Sequence, residues 1–184
     1  TYIDGGAGND SIIGRNRGIE SDDWAMGGYA TILGGEGNDY ISPTYANNAS
    51  IDGGAGNDTL IVLGKDATIN GGAGNDRITL PDPATLTEGD VDGADDVVIV
   101  YNSGDGNDVI SGFTADSTLS IGGASYTSAV SGSNLILTVG DGKITMSGAA
   151  NLDDLNIVGT TSTDTTDTGS GAQRDVEMAT SLVG

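Results

Sequence analysis

Aliphatic residues recur at two fixed distances from short glycine-rich windows in the first part of the chain. The five windows are "GGAGNDSII" from Gly5, "GGEGNDYIS" from Gly34, "GGAGNDTLI" from Gly53, "GGAGNDRIT" from Gly71 and "SGDGNDVIS" from Ser103. Two positions before each window lie Ile3, Ile32, Ile51, Ile69 and Tyr101. Two positions after each window's Asp lie Ile12, Ile41, Leu60, Ile78 and Ile110. Short β-branched segments beside glycine turns indicate strands, so each window is predicted to join two of them.

The windows start 29, 19, 18 and 32 residues apart, which indicates a repeat of about 18 residues with insertions in two intervals. We take these insertions as residues 14–29 and 81–96. A repeat of this length is typical of solenoids, in which strands of successive coils stack roughly 4.8 Å apart. The pattern therefore predicts an all-β fold, a parallel β-roll or β-helix solenoid, with the two sets of aliphatic residues as internal ladders.

The residue types of the windows predict what the turns do. A turn between two strands of one coil passes through positive-φ conformations and packs against the coil above, which favours glycine. Stacking also brings the Asp carboxylates of successive windows close together, where they repel unless a cation lies between them. Calcium suits this arrangement, because it takes six to eight oxygen ligands from carboxylates and carbonyls in adaptable geometry.

The windows resemble the "GGxGxDxUx" nonapeptide of the RTX, or haemolysin-type, calcium-binding repeats. The resemblance covers about residues 1–125 and implies a β-roll that binds Ca²⁺ between successive loops. The side-chain ligands that it implies are Asp10, Asp39, Asp58, Asp76 and Asp108. The backbone ligands would come from Gly5, Gly6, Gly8, Gly34, Gly35, Gly37, Gly53, Gly54, Gly56, Gly71, Gly72, Gly74, Gly104 and Gly106. The intervening half-turns lack an Asp in frame, so we expect one calcium edge, one plain edge and about four shared sites.

Composition narrows the chemistry further. The chain has 27 Asp and Glu against 6 Lys and Arg, a net charge of −21, which argues against nucleic acid or an anionic membrane surface as a partner. It has neither Cys nor His, so imidazole bases, thiolates and His-ligated zinc are excluded and oxygen ligands remain. Its longest apolar runs, such as "VVIV" at 97–100, are too short for a membrane span. No catalytic motif is evident, and we expect no enzymatic activity from this chain.

The chain after the fifth window is predicted to end the array. "LSIGGASYTSAV" keeps Gly122 and Gly123 but has Ser125 and Tyr126 where Asn-Asp would stand, which suggests a degenerate sixth turn. "SNLILTVGDGKITMSGAA" alternates apolar and polar residues around Gly-Asp-Gly, which predicts a β-hairpin within a β cap over residues 126–158. Residues 159–171 have the composition of a polar linker. Residues 172–184 predict a tail or a short amphipathic helix with Ala172, Val176, Ala179 and Val183 on one face.

Three further motifs admit a functional and a plain interpretation. "DVDGADD" at 90–96 places Asp90, Asp92 and Gly93 as an EF-hand loop would, but lacks the later acidic ligand, so a solvated acidic insertion competes with a separate ion site. "DTGS" at 167–170 matches an aspartic-protease core without the second copy that a carboxylate dyad needs. Trp24, with Arg15 and Arg17, either forms a ligand patch or packs on the plain edge.

Three functional hypotheses remain, and we favour the first because nothing in the sequence is catalytic. The first is a calcium-folded structural module of a secreted or cell-surface bacterial protein, such as an adhesin stalk or a filament subunit that contacts copies of itself. The second is the C-terminal secretion and folding domain of a secreted protease or lipase. The third is a recognition module that binds glycan or protein through the insertions. The resemblance implies type I secretion and an extracellular location, and the start at Thr1 within the pattern suggests a piece of a larger protein.

Overall fold

The computed structural model of the protein describes residues 1–14, 29–43, 47–80, 96–122, 125–152 and 155–159. These residues form short strands joined by turns, with a 3-10 turn at Ala149–Asn151. In chain order the strands are β1 (Tyr2–Ala7), β2 (Ser11–Ile13), β3 (Thr31–Glu36), β4 (Tyr40–Ser42), β5 (Ser50–Ala55), β6 (Thr59–Ile61), β7 (Thr68–Ala73), β8 (Arg77–Thr79), β9 (Val98–Asn102), β10 (Asn107–Ser111), β11 (Thr118–Gly122), β12 (Tyr126–Ser131), β13 (Asn134–Val139), β14 (Gly142–Ser147) and β15 (Asn156–Val158). No helix within the described ranges is long and apolar enough to cross a membrane.

The strands alternate between two sheets, as a two-strand coil requires. Sheet 1 has the order β1-β3-β5-β7-β9-β11-β15 and is parallel throughout. Sheet 2 has the order β12-β13-β14-β10-β8-β6-β4-β2 and is parallel from β14 to β2. Consecutive odd and even strands thus form successive coils of a parallel β-roll, which confirms the predicted fold class.

The core consists of aliphatic ladders inside the roll. In sheet 2 the predicted ladder is confirmed, because Ile12, Ile41, Leu60, Ile78 and Ile110 pair in register and continue into Met146. In sheet 1 the ladder runs through Ile3, Ile32, Ile51 and Ile69. The plain edge is filled by smaller buried residues, among them Ala30, Ala49 and Ala67. Ladders of short aliphatics explain how a chain with 4% aromatic residues can bury a core.

The fifth coil corrects one prediction. Ile69 pairs with Ile99, not with Tyr101, and the ladder continues from Ile99 to Leu119. The spacing from the ladder residue to the glycine that stacks in the column is two residues longer in the fifth coil, from Ile99 to Gly106, than in the fourth, from Ile69 to Gly74. Tyr101 is buried at the next inward position, where it pairs with Ile121 of β11.

The C-terminal part closes the roll with an antiparallel meander. Strands β12, β13 and β14 pair antiparallel, which confirms the predicted hairpin, and β14 then pairs parallel with β10. The prediction of a sixth turn at Gly122–Tyr126 was wrong in its second half. Strand β11 stacks on β9 as expected, but Tyr126 begins β12, and β14 takes the place above β10. The local pattern did not reveal this, because it depends on pairing across the intervening hairpin.

Several predictions concern parts of the chain that lie outside the described residues. They are those for Trp24 with Arg15 and Arg17, for Asp90, Asp92 and Gly93, for Gly123, for the interiors of the insertions 14–29 and 81–96, and for the linker and tail from residue 160 onward.

Candidate metal centre

The five glycine-rich windows form one column of stacked loops along an edge of the roll. Each loop connects a sheet 1 strand to the following sheet 2 strand, and the parallel register stacks each loop on its neighbour. We call these loops 1 to 5 and the spaces between successive loops gaps 1 to 4. Backbone bonds hold the loops together: the N–H of Gly37, for example, donates to the carbonyl of Ala55 at 2.8 Å. The column is the part of the roll in which the sequence predicted calcium sites.

The glycines of a loop are required for two different reasons, as loop 3 shows. Gly54 and Gly56 have φ of 101° and 135°, a region that favours glycine, and a Cβ on either would collide with the carbonyl of the glycine stacked next to it. Gly53 does not have a positive φ of this kind. A Cβ on Gly53 would instead meet the Gly71 carbonyl oxygen and the Oδ2 atom of Asp58. The first glycine therefore leaves space for two oxygens: a carboxylate oxygen of its own loop and a carbonyl oxygen of the next loop.

The Asp side chains form a ladder that points toward the N-terminal end of the roll. The backbone N–H of Asp39 donates to Oδ1 of Asp58 at 2.7 Å, and that of Asp58 donates to Oδ1 of Asp76 at 2.8 Å. The same bond joins Asp10 to Asp39 at 2.8 Å and Asp76 to Asp108 at 2.9 Å. All five predicted aspartates thus belong to one hydrogen-bonded column, and one oxygen of each of the last four is engaged by backbone.

The Asn residues form a second ladder that points the opposite way. The backbone N–H of Asn57 donates to Oδ1 of Asn38 at 2.7 Å, and that of Asn75 donates to Oδ1 of Asn57 at 2.8 Å. These side chains lie at the exposed rim of the column. The recurring Asn of the windows therefore has a backbone-bonding role, which the sequence alone did not reveal.

The second carboxylate oxygens are buried without a partner. The Oδ2 atoms of Asp10, Asp39, Asp58 and Asp76 are inaccessible to solvent and accept no hydrogen bond. The side chains of Asp39, Asp58 and Asp76 are at most 2% exposed. One of these four oxygens belongs to each of loops 1 to 4, and those of Asp10, Asp39 and Asp58 lie beside a carbonyl oxygen of the next loop. A buried charged oxygen without a partner is costly, so each of loops 1 to 4 has a carboxylate oxygen that a cation would stabilise.

Burial also changes the protonation of the column. It raises the pKa of Asp76 to about 6 and that of Asp108 to about 7, and it raises the pKa of Asp58 as well. Neighbouring carboxylates add to the increase, while the N–H bond to each Oδ1 opposes it. Without a cation, ionisation of Asp76 and Asp108 is thus opposed near neutral pH.

The donor set fits calcium. Within the described residues no group of three or more carboxylates converges at one point. In gaps 1 to 3 the carbonyl oxygens come from Gly34, Gly53 and Gly71, respectively. Each lies beside the Asp Oδ2 atom of the preceding loop, since both atoms are close to the Cβ position of that loop's first glycine. Calcium accepts such mixtures of carboxylate and carbonyl ligands. The carboxylates and carbonyls of successive loops are the groups that would hold the ion.

Loop 5 departs from the other loops. Its chain turns between Asn102 and Asp105, where the backbone N–H of Asn102 donates to Oδ2 of Asp105 at 2.6 Å. Gly106 stacks on Gly74 as predicted, but a Cβ on Gly104 would meet nothing within 4 Å, so Gly104 does not stack like Gly72. Gap 4 is therefore bounded on one side by a loop of different shape. The available signal was the first residue of the window, which is Ser103 where the other windows have glycine.

Comparison with known proteins adds little to this geometry. No family model matches the chain, and no curated protein matches it. Among solved structures, the extracellular lipase LipA from Serratia marcescens is similar to it with 19% sequence identity and a TM-score of 0.43. That match covers 82% of this chain and 36% of the lipase chain.

Proposed function

We propose that this chain is a calcium-binding structural module whose roll folds when Ca²⁺ occupies the gaps between successive loops. The observation that carries the proposal is the set of four buried, unpartnered Oδ2 atoms, one from each of loops 1 to 4. Asp10, Asp39, Asp58 and Asp76 would supply these oxygens, and Asp108 would close gap 4 from the other side. The loop carbonyls would complete the coordination, as the resemblance to RTX repeats implies.

The affinity expected for such sites explains how calcium could control folding. Calcium modules of extracellular proteins have Kd values of roughly 10⁻⁴ to 10⁻³ M. Calcium at about ten times Kd stabilises the folded state by roughly 1.4 kcal/mol per site. Four sites together contribute roughly 5 to 6 kcal/mol, which is comparable with the entire stability of a typical domain. The module is thus unfolded at cytosolic calcium and folded outside the cell, in a secreted or cell-surface protein.

A structural role accounts for the remaining features of the chain. The full sequence contains no His and no Cys, and the buried polar side chains of the described residues are mainly the aspartates of the column. A stack of cation-linked coils is a stiff rod, which suits a stalk or a filament that holds other parts of a surface protein apart. We assign calcium as the ligand of this chain and no reaction to it.

Calcium titration of the chelated chain tests the proposal. Far-UV circular dichroism and sedimentation velocity should show an expanded chain that gains β signal and compacts between roughly 0.1 and several mM calcium. Asp58→Asn should shift the midpoint to higher calcium, because gap 3 loses its ionised oxygen. Asp116→Asn removes one charge from an exposed turn and serves as the matched control. A chain that is fully folded in chelator and unaffected by calcium would refute the proposal.

A further inference from the structure

A sixth window is present in the column, although its chemistry is altered. Residues 140–147 read "GDGKITMS", against "GDGNDVIS" at 104–111 in loop 5. The structure places the two segments in register: Lys143 pairs with Asn107, Ile144 with Asp108 and Met146 with Ile110. The segment 140–147 therefore occupies the place of the next loop and strand, with Lys-Ile where the other windows have Asn-Asp. We call the space between this segment and loop 5 the terminal gap.

Ile144 removes the ligand that each earlier gap has on this side. In gaps 1 to 4 the residue that corresponds to Ile144 is an Asp. Its Oδ1 atom accepts a hydrogen bond from the backbone N–H of the Asp in the preceding loop. Ile144 is fully buried, pairs with Asp108 and has no side-chain oxygen. The terminal gap thus has at most one carboxylate, that of Asp108, and an aliphatic side chain opposite it.

Tyr101 and Lys143 use the carbonyl that faces the terminal gap. The carbonyl oxygen of Gly106 accepts one hydrogen bond from the Tyr101 hydroxyl at 2.7 Å and one from the backbone N–H of Lys143 at 2.9 Å. In gaps 1 to 4 the N–H at the Lys143 position donates to an Asn side chain instead. Two donors on one carbonyl leave it without a lone pair for a cation.

Tyr101 also fills the space that a glycine leaves open in earlier coils. Asn70 of β7 pairs with Val100 of β9. The residues that follow them are Gly71 and Tyr101, so Tyr101 takes the position that Gly71 has in the preceding coil. Tyr101 is 2% exposed, and a Cβ on Gly142 would collide with its hydroxyl oxygen. In loops 1 to 4 the first glycine borders the Oδ2 atom of its own loop's Asp. In the fifth coil the tyrosine side chain fills the corresponding space beside the Asp.

We propose that Tyr101, Lys143 and Ile144 form a terminator that closes the terminal gap to calcium and limits the column to gaps 1 to 4. The terminator also prevents a second copy of the chain from extending the column at this end. Asp108, the last Asp of the column, is covered by Ile144. This inference rests on the proposed function, because a column that binds no calcium needs no terminator.

The calcium-bound crystal structure of the unaltered chain gives the first test, with anomalous scattering to locate the ions. We expect ions between successive loops of the column and none between Asp108 and Ile144. An ion in the terminal gap would overturn the terminator and leave the proposed function intact. Absence of ions from every gap would overturn the proposed function itself. This measurement does not depend on any variant folding.

Restoring the motif gives the second test. K143N/I144D should bind one more calcium ion per chain than the unaltered protein in equilibrium dialysis. K143N/T145D makes the same change of charge one residue further along, on the outward face of β14, and should bind no additional ion. Circular dichroism in calcium establishes that each variant is folded. I144N, which adds a neutral oxygen, replaces I144D if the buried carboxylate prevents folding. An unchanged number of ions in a folded K143N/I144D or K143N/I144N chain would overturn the inference.

The role of Tyr101 is tested in the restored background. Y101F added to K143N/I144D frees the Gly106 carbonyl from one donor, so the extra ion should bind about fivefold more tightly, the equivalent of one net hydrogen bond. The phenylalanine keeps the ring and its packing. If Tyr101 only supports the fold, Y101F would change the unfolding temperature while leaving the affinity of the added site unchanged, and its place in the terminator would be refuted.

Discussion

At the scale of single residues, each position of a loop has its own physical requirement. In loop 3, Gly54 and Gly56 satisfy backbone conformation, Gly53 keeps space beside Asp58, and Asn57 bonds the neighbouring backbone. Asp58 divides its two oxygens between the Asp39 N–H and the gap. A substitution at each position should therefore fail in a different and measurable way.

Gly53→Ala should abolish the calcium response of gap 3. Its Cβ would enter the space beside the Asp58 Oδ2 and the Gly71 carbonyl, and we expect a loss of about 1–3 kcal/mol from this overpacking. Gly132→Ala is the control, because Gly132 has a φ of 63° but no atom within 4 Å of its Cβ position, so only about 1–2 kcal/mol of backbone strain is expected. Calorimetric calcium titration should show fewer ions bound by Gly53→Ala alone. Equal calcium binding by both variants would contradict the role given to Gly53.

Acid should partly replace calcium. The folded-state pKa values of about 6 for Asp76 and about 7 for Asp108 lie above the ordinary 3.8, so the folded chain holds protons that the unfolded chain releases. Without metal, stability is then greatest below about pH 4 and falls as pH rises to about 7. Calcium reverses this trend, because it binds the ionised carboxylates. Circular dichroism in calcium-free buffer should show more β structure near pH 4.5 than near pH 7.5.

The control for this pH effect is a variant of the column itself. Asp76→Asn with Asp108→Asn should retain its calcium-free β signal to higher pH, because neither amide ionises. Asp116→Asn should titrate like the unaltered chain. Identical pH profiles for all three proteins would mean that overall charge, and not the column, determines the acid effect.

At the scale of strands, stability comes from ladders whose members repeat once per coil. Each strand is only three to six residues long, and strands this short are not stable alone. Sheet pairing and the buried ladders hold them, so a substitution in the ladder affects the coils on both sides.

Leu60→Ala should destabilise the calcium-loaded roll by about 2–5 kcal/mol, the usual range for a cavity left by a fully buried leucine. Ile61→Ala is the matched control, because Ile61 follows it in the same strand on the outward, partly exposed face, and we expect a loss of about 1 kcal/mol or less. Urea unfolding in saturating calcium measures both. Equal effects would show that β6 is not oriented as described.

At the scale of the whole molecule, charge opposes folding and a specific cation offsets it. The net charge of −21 is distributed over a chain with few large apolar residues, so general electrostatic screening would also favour a compact state. Calcium binding in the gaps differs from screening in that it depends on the size and coordination of the ion.

Magnesium should not replace calcium in folding the chain. Mg²⁺ requires near-ideal octahedral geometry and loses its water reluctantly, whereas the loops offer fixed carbonyls and one or two carboxylates per gap. Sedimentation velocity at roughly 1–5 mM of either ion should show compaction with calcium alone. Equal compaction by both ions at matched ionic strength would indicate screening, and would contradict specific sites in the column.

The repeat itself determined much of this protein. The 18-residue period, the sheet 2 ladder through Leu60 and the alignment of Asp10 to Asp108 in one column all follow from the sequence, because stacking in register converts each recurring residue into a row. The insertions left these rows in register, although loop 5 and the ladder position of β9 differ from those of the earlier coils.

Only the tertiary structure decided the end of the column. Spacing alone put Tyr101 in the ladder, but pairing with β7 and β11 selects Ile99 and leaves Tyr101 in the place of a loop glycine. The sequence likewise did not show that residues 140–147 stack on loop 5, because that contact forms only after β12 and β13 fold back on each other. Local patterns record what a residue can do, whereas pairing between distant strands decides which neighbour it meets. Pairing between strands likewise decides that one oxygen of an aspartate such as Asp58 accepts a hydrogen bond while the other has no partner.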